Sequence, residues 1–240
     1  MHVVFQYCAA FGLVASLSGV LTRAGVRRAH WFAVHALANL VVCALTLPAF
    51  AYAVRHPDWI AFRPAQGSPE LDELNGLLIG MLHVYHVGCY QDVSAEDWLH
   101  HVLFIPFNQV ALHAPRLFGW NVRWGAGVNM QHFFICGLPG ALDYASLVLY
   151  KHGHMTRLQQ KWCQSKLNLW LRCPGTLLTI ALLGQGTVRQ RAELPWGAVL
   201  IIALDALLIG FNSLYYTERV LRSHAISTTK IAATSGTPPP

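Results

Sequence analysis

Apolar residues run through this chain in long blocks broken by short polar stretches, without the two-residue alternation of a half-buried strand. About 20 mostly apolar residues are enough for a helix to cross the hydrocarbon of a bilayer. Seven runs approach that length, at 3–22, 30–54, 75–91, 98–115, 126–150, 168–185 and 196–217. The third and fourth are short and rich in histidine, so they need neighbouring helices or water to shelter their polar side chains. The pattern predicts an all-α, polytopic membrane bundle of about seven transmembrane helices over 1–222, with a disordered cytosolic tail over 223–240. Segment 55–74, carrying Pro57, Pro64, Gly67 and Pro69, reads as the long loop, and Trp59, Ile60 and Phe62 suit it to the headgroup layer. The first run has no basic segment ahead of it and no small-x-small cleavage site, so it reads as a retained span.

Composition excludes the soluble alternative. The chain is 54% hydrophobic and 12% charged with a mean hydropathy of +0.38, whereas about 25% of residues carry charge in a soluble domain. The net charge of +6 is spread over short loops, which points to anionic lipid headgroups as partners and away from nucleic acid. Ten loop bases (Arg23, Arg27, Arg28, Lys151, Arg157, Lys161, Lys166, Arg219, Arg222 and Lys230) fall on one side of the seven spans. Six (Arg55, Arg63, Arg116, Arg123, Arg189 and Arg191) fall on the other, and Arg172 sits at the edge of the sixth span. The bias predicts a cytosolic C-terminus; the membrane itself is read as that of the endoplasmic reticulum or another organelle. The six cysteines lie in or beside apolar runs without a Cys-x-x-Cys pair and read as small buried hydrophobes. Trp31, Trp98, Trp124, Trp162 and Trp196 lie near span ends, as an interfacial belt requires.

Ionisable residues inside a span cost about 2.5–3.5 kcal/mol on insertion scales, so each needs a partner or a wet cavity. Span three carries His83 and His86, neighbours on one helical face. Span four opens Asp97-Trp98-Leu99-His100-His101, with Asn108 continuing the His101 stripe. Adjacent histidines diverge by about 100°, so both reach one target only if the helix edge faces a wide cavity. Span five places His132, Cys136, Pro139 and Asp143 along one face, and Gly137-Leu138-Pro139-Gly140 predicts a kink there. Asp205 lies deep in span seven and needs a histidine, amide or base from another helix. A shared interior pocket for His83, His86, His132, Asn108 and Asp205 is the economical reading. The same residues admit blander readings as independent hydrogen-bonders, assigned here to His30, His113, His152 and His154. No metal is assigned: a di-metal centre needs more histidines than this set offers, and one metal held by three or four of them is a lesser alternative.

The histidine pair that begins a central span, followed on the next span by Ala141-Leu142-Asp143-Tyr144 through Leu149-Tyr150-Lys151, resembles the TLC family, which includes the ceramide synthases. Leu142 stands where that family has the histidine of its Leu-His-Asp stretch, and Ser146 where it has a second aspartate. Leu82-His83-Val84-Tyr85-His86 resembles part of the fatty-acid elongase histidine box, with Val87 in place of its next histidine. Either resemblance implies a helical barrel. The first implies an acyltransferase of lipid metabolism using His100 and His101 with Asp143 in support, and acyl-CoA as co-substrate for a lipid amine or hydroxyl. The basic stretch 151–166 would then attract coenzyme A phosphates. Two other expectations stand beside it: a non-catalytic bundle serving as a membrane-complex subunit or lipid-binding protein, and a transporter or proton-linked channel built on Asp205 and the kinked span.

Overall fold

The computed structural model describes residues 2–55, 70–90, 95–122 and 124–235, and these are helical with no strand among them. The helices are α1 (His2–Arg23), α2 (His30–Arg55), α3 (Glu70–Cys89), α4 (Ala95–Leu117), α5 (Gly125–His132), α6 (Leu138–Lys151), α7 (Arg157–Leu167), α8 (Cys173–Arg189) and α9 (Trp196–Ser235). A π turn at Phe133–Gly137 joins α5 to α6, and another at Asn168–Arg172 joins α7 to α8, so each pair forms one rod. The expected loop 55–74 lies largely outside the described residues, as do 91–94 of the acidic turn and the side chains of Glu96 and Asp97.

Both π turns follow from proline. Pro139 and Pro174 lack the N–H of a regular helix, and their rings crowd the carbonyls of Ile135 and Trp170, which lie inside the two π turns. Widening each turn relieves the crowding: Leu138 N–H reaches Phe133 O and Cys173 N–H reaches Asn168 O. The kink expected in the fifth span therefore takes this form, and the sixth rod has one too.

Five helical stretches are long and apolar enough to cross a membrane: Val3–Arg23, His30–Tyr52, Gly127–Lys151, Arg157–Arg189 and Trp196–Lys230. Leu74–Cys89 is a shorter apolar helix, and α4 is more polar than these, carrying Glu96, Asp97, three histidines and two prolines. The surface agrees with lipid as solvent. Leu207 and Phe211 are each 69% exposed and Trp170 72%, while His35, Asn39, Thr46, Asn75, His101 and Asn168 are buried. This inversion of the soluble pattern, together with the five long apolar helices, is compatible with a multi-pass integral membrane protein.

The sixth and seventh boundaries differ from those the hydropathy set. Residues 157–167, expected in a basic loop, form α7 because Thr156 and Gln159 make a reciprocal capping box that starts the helix despite its polar sequence. The last helix continues past residue 222 to Ser235. The cysteines are all free, as expected, but none is fully buried: Cys8 and Cys89 are exposed and the other four half-buried. Cys136 lines the cavity and Cys43 packs against the buried Met130–Phe133–Phe134 cluster.

Packing closes the rods into a ring. α2 packs on α3, α3 on α4, α4 touches α9, α9 packs along α7 and α8, α7 on α6 with α8 on α5, and α5 and α6 return to α2. α1 lies outside, against α2 and α3, where Val14 joins Val34, Ala38, Val42, Leu78 and Leu82 in a buried cluster. The turns that set this antiparallel order include glycine C-caps. Gly25 and Gly153 adopt φ of +76° and +80°, and Val26 N–H to Leu21 O (2.9 Å) and His154 N–H to Leu149 O (2.9 Å) close the ends of α1 and α6.

Candidate functional site

The ring encloses a cavity of about 450 Å³, within the range of about 300–1,000 Å³ usual for small-ligand sites. α2, α3, α4, the α5–α6 rod, the α7–α8 rod and α9 all contribute to its wall, and α1 contributes none of the described lining residues. His83, His86, His100, His101, Asn108, His132, Asp143 and Asp205 all line it. The interval from Asn75 to His86 along α3 spans about 16 Å at 1.5 Å per residue, which gives the length between the polar groups at the two ends.

One end is an imidazole cluster. His86 and His101 share a hydrogen bond of 3.1 Å between Nδ1 and Nε2, and the His83 ring centroid lies 4.8 Å from that of His101 and 5.9 Å from that of His100. Adjacent His100 and His101 both reach this end because the α4 edge, not one face, borders the cavity. His35 completes the cluster from α2, with its ring centroid 5.9 Å from His86 and 4.5 Å from Tyr144. Trp31 packs against His35 and His86. It and Trp124, whose indole N–H donates to Ala111 O at 2.6 Å, line the cavity, so they do not belong to an outer aromatic belt; Trp98, Trp162 and Trp196 are exposed.

Asp143 projects from α6 toward the second π turn. Arg172 Nη1 lies 3.4 Å from its Oδ2 and Gln164 Nε2 donates to the same oxygen at 3.5 Å, while Arg172 also donates to Asn168 Oδ1 at 3.0 Å. Asp143 is thus held by a guanidinium and an amide rather than by the histidine pair it was expected to support. Its Oδ1 and the Nδ1 atoms of His35 and His83 are buried with no hydrogen-bond partner among the described residues.

At the other end, Gln131 Nε2 donates to Asp205 Oδ2 at 2.7 Å, which supplies the amide that the isolated carboxylate demanded. Asn75 Nδ2 donates to Asn129 Oδ1 at 2.6 Å and lies 3.3 Å from His132 Nδ1. The bland assignments fall outside the cavity: His30 bonds Tyr90 and Ser18 O, His113 bonds Tyr7, and His152 bonds Arg28 O.

Sequence reasoning missed His35, Gln131, Tyr144, Gln164, Arg172 and Tyr216 as lining residues. His35 and Asn39 carried a signal, two polar groups four residues apart inside an apolar run. Arg172 carried another, because a carboxylate inside a span calls for a cation at comparable depth.

The residues must be read on their own chemistry: no protein-family model matches the chain, and no curated protein or solved structure matches it.

Proposed function

We propose that this chain is a TLC-like integral membrane protein of lipid metabolism that transfers an acyl group from acyl-CoA to a lipid amine or hydroxyl. The seven rods are read as seven membrane passes, six of them forming a barrel of the TLC kind, with the C-terminus cytosolic in the endoplasmic reticulum or another organelle membrane. The observation that carries the reading is the placement of His83, His86, His100 and His101 on the wall of one chamber of about 450 Å³. An imidazole there takes the proton of the acceptor hydroxyl or amine as that group attacks the thioester carbonyl. The new C–O or C–N bond forms, the C–S bond breaks, and the thiolate of coenzyme A leaves and is protonated.

His100 and His101 are the bases in this scheme. His86, bonded to His101, orients its ring and fixes which nitrogen carries the proton. Asp143 acts through Arg172 and Gln164, fixing the charge of the chamber wall rather than the imidazole tautomer. His132, Asn108 and Asp205 bound the remainder of the pocket. Purified protein in lipid, given radiolabelled acyl-CoA and mixed sphingoid and glycerolipid acceptors, forms acylated lipid, and His101→Ala abolishes it; undiminished product in that variant refutes the assignment.

A second reading has its own observation. Gln131 with Asp205, Asn75 with Asn129, and Arg172 with Asp143 satisfy one another across helices, as in a non-catalytic subunit of a membrane complex or a lipid-binding protein. In that case His101→Ala lowers stability and no acyl product forms from wild type.

A further inference from the structure

Three imidazoles from two helices converge more closely than the rest of the cluster. His83 of α3 and His100 and His101 of α4 each present a ring nitrogen, and these three atoms all lie within 4.8 Å of one another. Tetrahedral zinc with Zn–N bonds of about 2.0–2.1 Å places its nitrogens roughly 3.4 Å apart, so modest ring rotations close the set. His101 is buried and His83 and His100 are half-buried, so the set faces the cavity while its base is fixed in the wall. A buried, unpartnered Nδ1 on His83 supplies an independent sign of unused coordinating capacity.

We infer that His83, His100 and His101 form a binding site for a divalent late-transition metal, with Zn²⁺ as its first occupant. Imidazole ligands suit Zn, Cu, Ni and Fe and not the hard alkaline-earth ions. Three protein nitrogens leave one tetrahedral position directed into the cavity, the arrangement of open zinc sites. His86 is the outer partner: its bond to His101 orients that ring, as the second groups behind metal-bound histidines do. His132 lines the same cavity but bonds Asn75 at the other polar end, so it lies outside the set. The inference does not rest on acyl transfer. A cation on these nitrogens takes the lone pairs that His100 and His101 need as bases, so metal-free protein is the form that would transfer acyl groups, and metal content is read without any activity.

The test uses full-length protein purified without a polyhistidine tag, stripped with chelator and dialysed against Zn²⁺ in detergent. Mass-spectrometric metal analysis should give one Zn²⁺ per chain, retained by His132→Ala. The double variant His83→Ala/His101→Ala should lose it, and His86→Ala should bind about 10–100-fold more weakly. Co²⁺-loaded wild type should show the intense visible bands of a tetrahedral site, a measurement that needs no variant to fold. Wild type that retains no more Zn²⁺ than the double variant, a loss in His132→Ala equal to that in the double variant, or a faint octahedral Co²⁺ spectrum overturns the site.

Discussion

Removing the Arg172 guanidinium isolates the Asp143 carboxylate, and the structure sets the size of the effect. The two side chains are 19% and 10% exposed, and their nearest charged atoms lie 3.4 Å apart. At an effective dielectric of about 20, two unit charges at that distance attract by about 5 kcal/mol, and desolvating each ion costs a comparable several kcal/mol. The intact pair therefore contributes little net stability, whereas either charge left alone has no such offset. Breaking a buried pair costs about 3–5 kcal/mol, and the adjoining cavity, which can admit water, places this one near the lower bound. At about 2–4 °C per kcal/mol, Arg172→Met should lower the melting temperature by roughly 6–12 °C, and Asp143→Leu by a similar amount. The double variant should recover most of the loss, because both desolvation costs vanish together. Intrinsic-fluorescence melting in one detergent across the four proteins completes the double-mutant cycle. Additive single effects, each below about 1 kcal/mol, would show that solvent already screens the two groups and that Arg172 is not the partner that keeps Asp143 in the wall.

Other consequences can be checked in the same preparation. Alanine at Gly175 should destabilise, because its Cβ meets the ring of buried Phe134, which packs edge-on against the stacked rings of Phe50 and Phe133. Overpacking of about 1–3 kcal/mol then outweighs a helix-propensity gain of about 1 kcal/mol, whereas Gly184→Ala, open within 4 Å, should gain stability; equal melting shifts would contradict the packing. Gln131→Leu should cost about 1–3 kcal/mol by stripping Asp205 of its donor, and Asp205→Leu in that background should restore most of it, read by the same melting curves. Pro174→Ala should fail to deliver the roughly 3 kcal/mol expected on removing a proline from a helix interior, since closing the second π turn would rotate Arg172 away from Asp143; a gain of that size would mean the bulge has no role in the pair.

The rods were legible because apolar runs near 20 residues long have few other structural meanings. Their ends were less so. α7 begins at Arg157 through Thr156 and Gln159, a capping signal that hydropathy ignores, and its polar sequence made it look like loop. The third and fourth runs show the limit from the other side: Leu74–Cys89 is short and α4 is too polar to pass as a span by composition, yet both stand in the ring between α2 and α9. A helix that borders a polar cavity needs apolar residues only on its outer face, so averaging around its circumference hides that face.

Which polar residues share the cavity was legible in kind but not in pairing. A carboxylate or imidazole inside a span must meet something, and that demand alone singles out Asp143, Asp205 and the histidines of α3 and α4 in the sequence. What each meets depends on the angular position of a distant helix, and two bulges reset that angle. Between Phe133 and Gly137 the backbone turns by an extra residue before Pro139, so the 3.6-residue stripe drawn through His132 and Asp143 no longer describes one face. Between Asn168 and Arg172 the second bulge carries Arg172 inward to Asp143, where a regular helix with the same sequence would direct it differently. The prolines behind both bulges were visible, but a proline announces only that a helix must change, not whether it will kink, bulge or stop. The TLC resemblance assigned Asp143 to His100 and His101, and its bonds run instead to Arg172 and Gln164. The imidazoles of α3 and α4, set on regular stretches with no bulge between them and their helix ends, reached the cavity as their spacing implied.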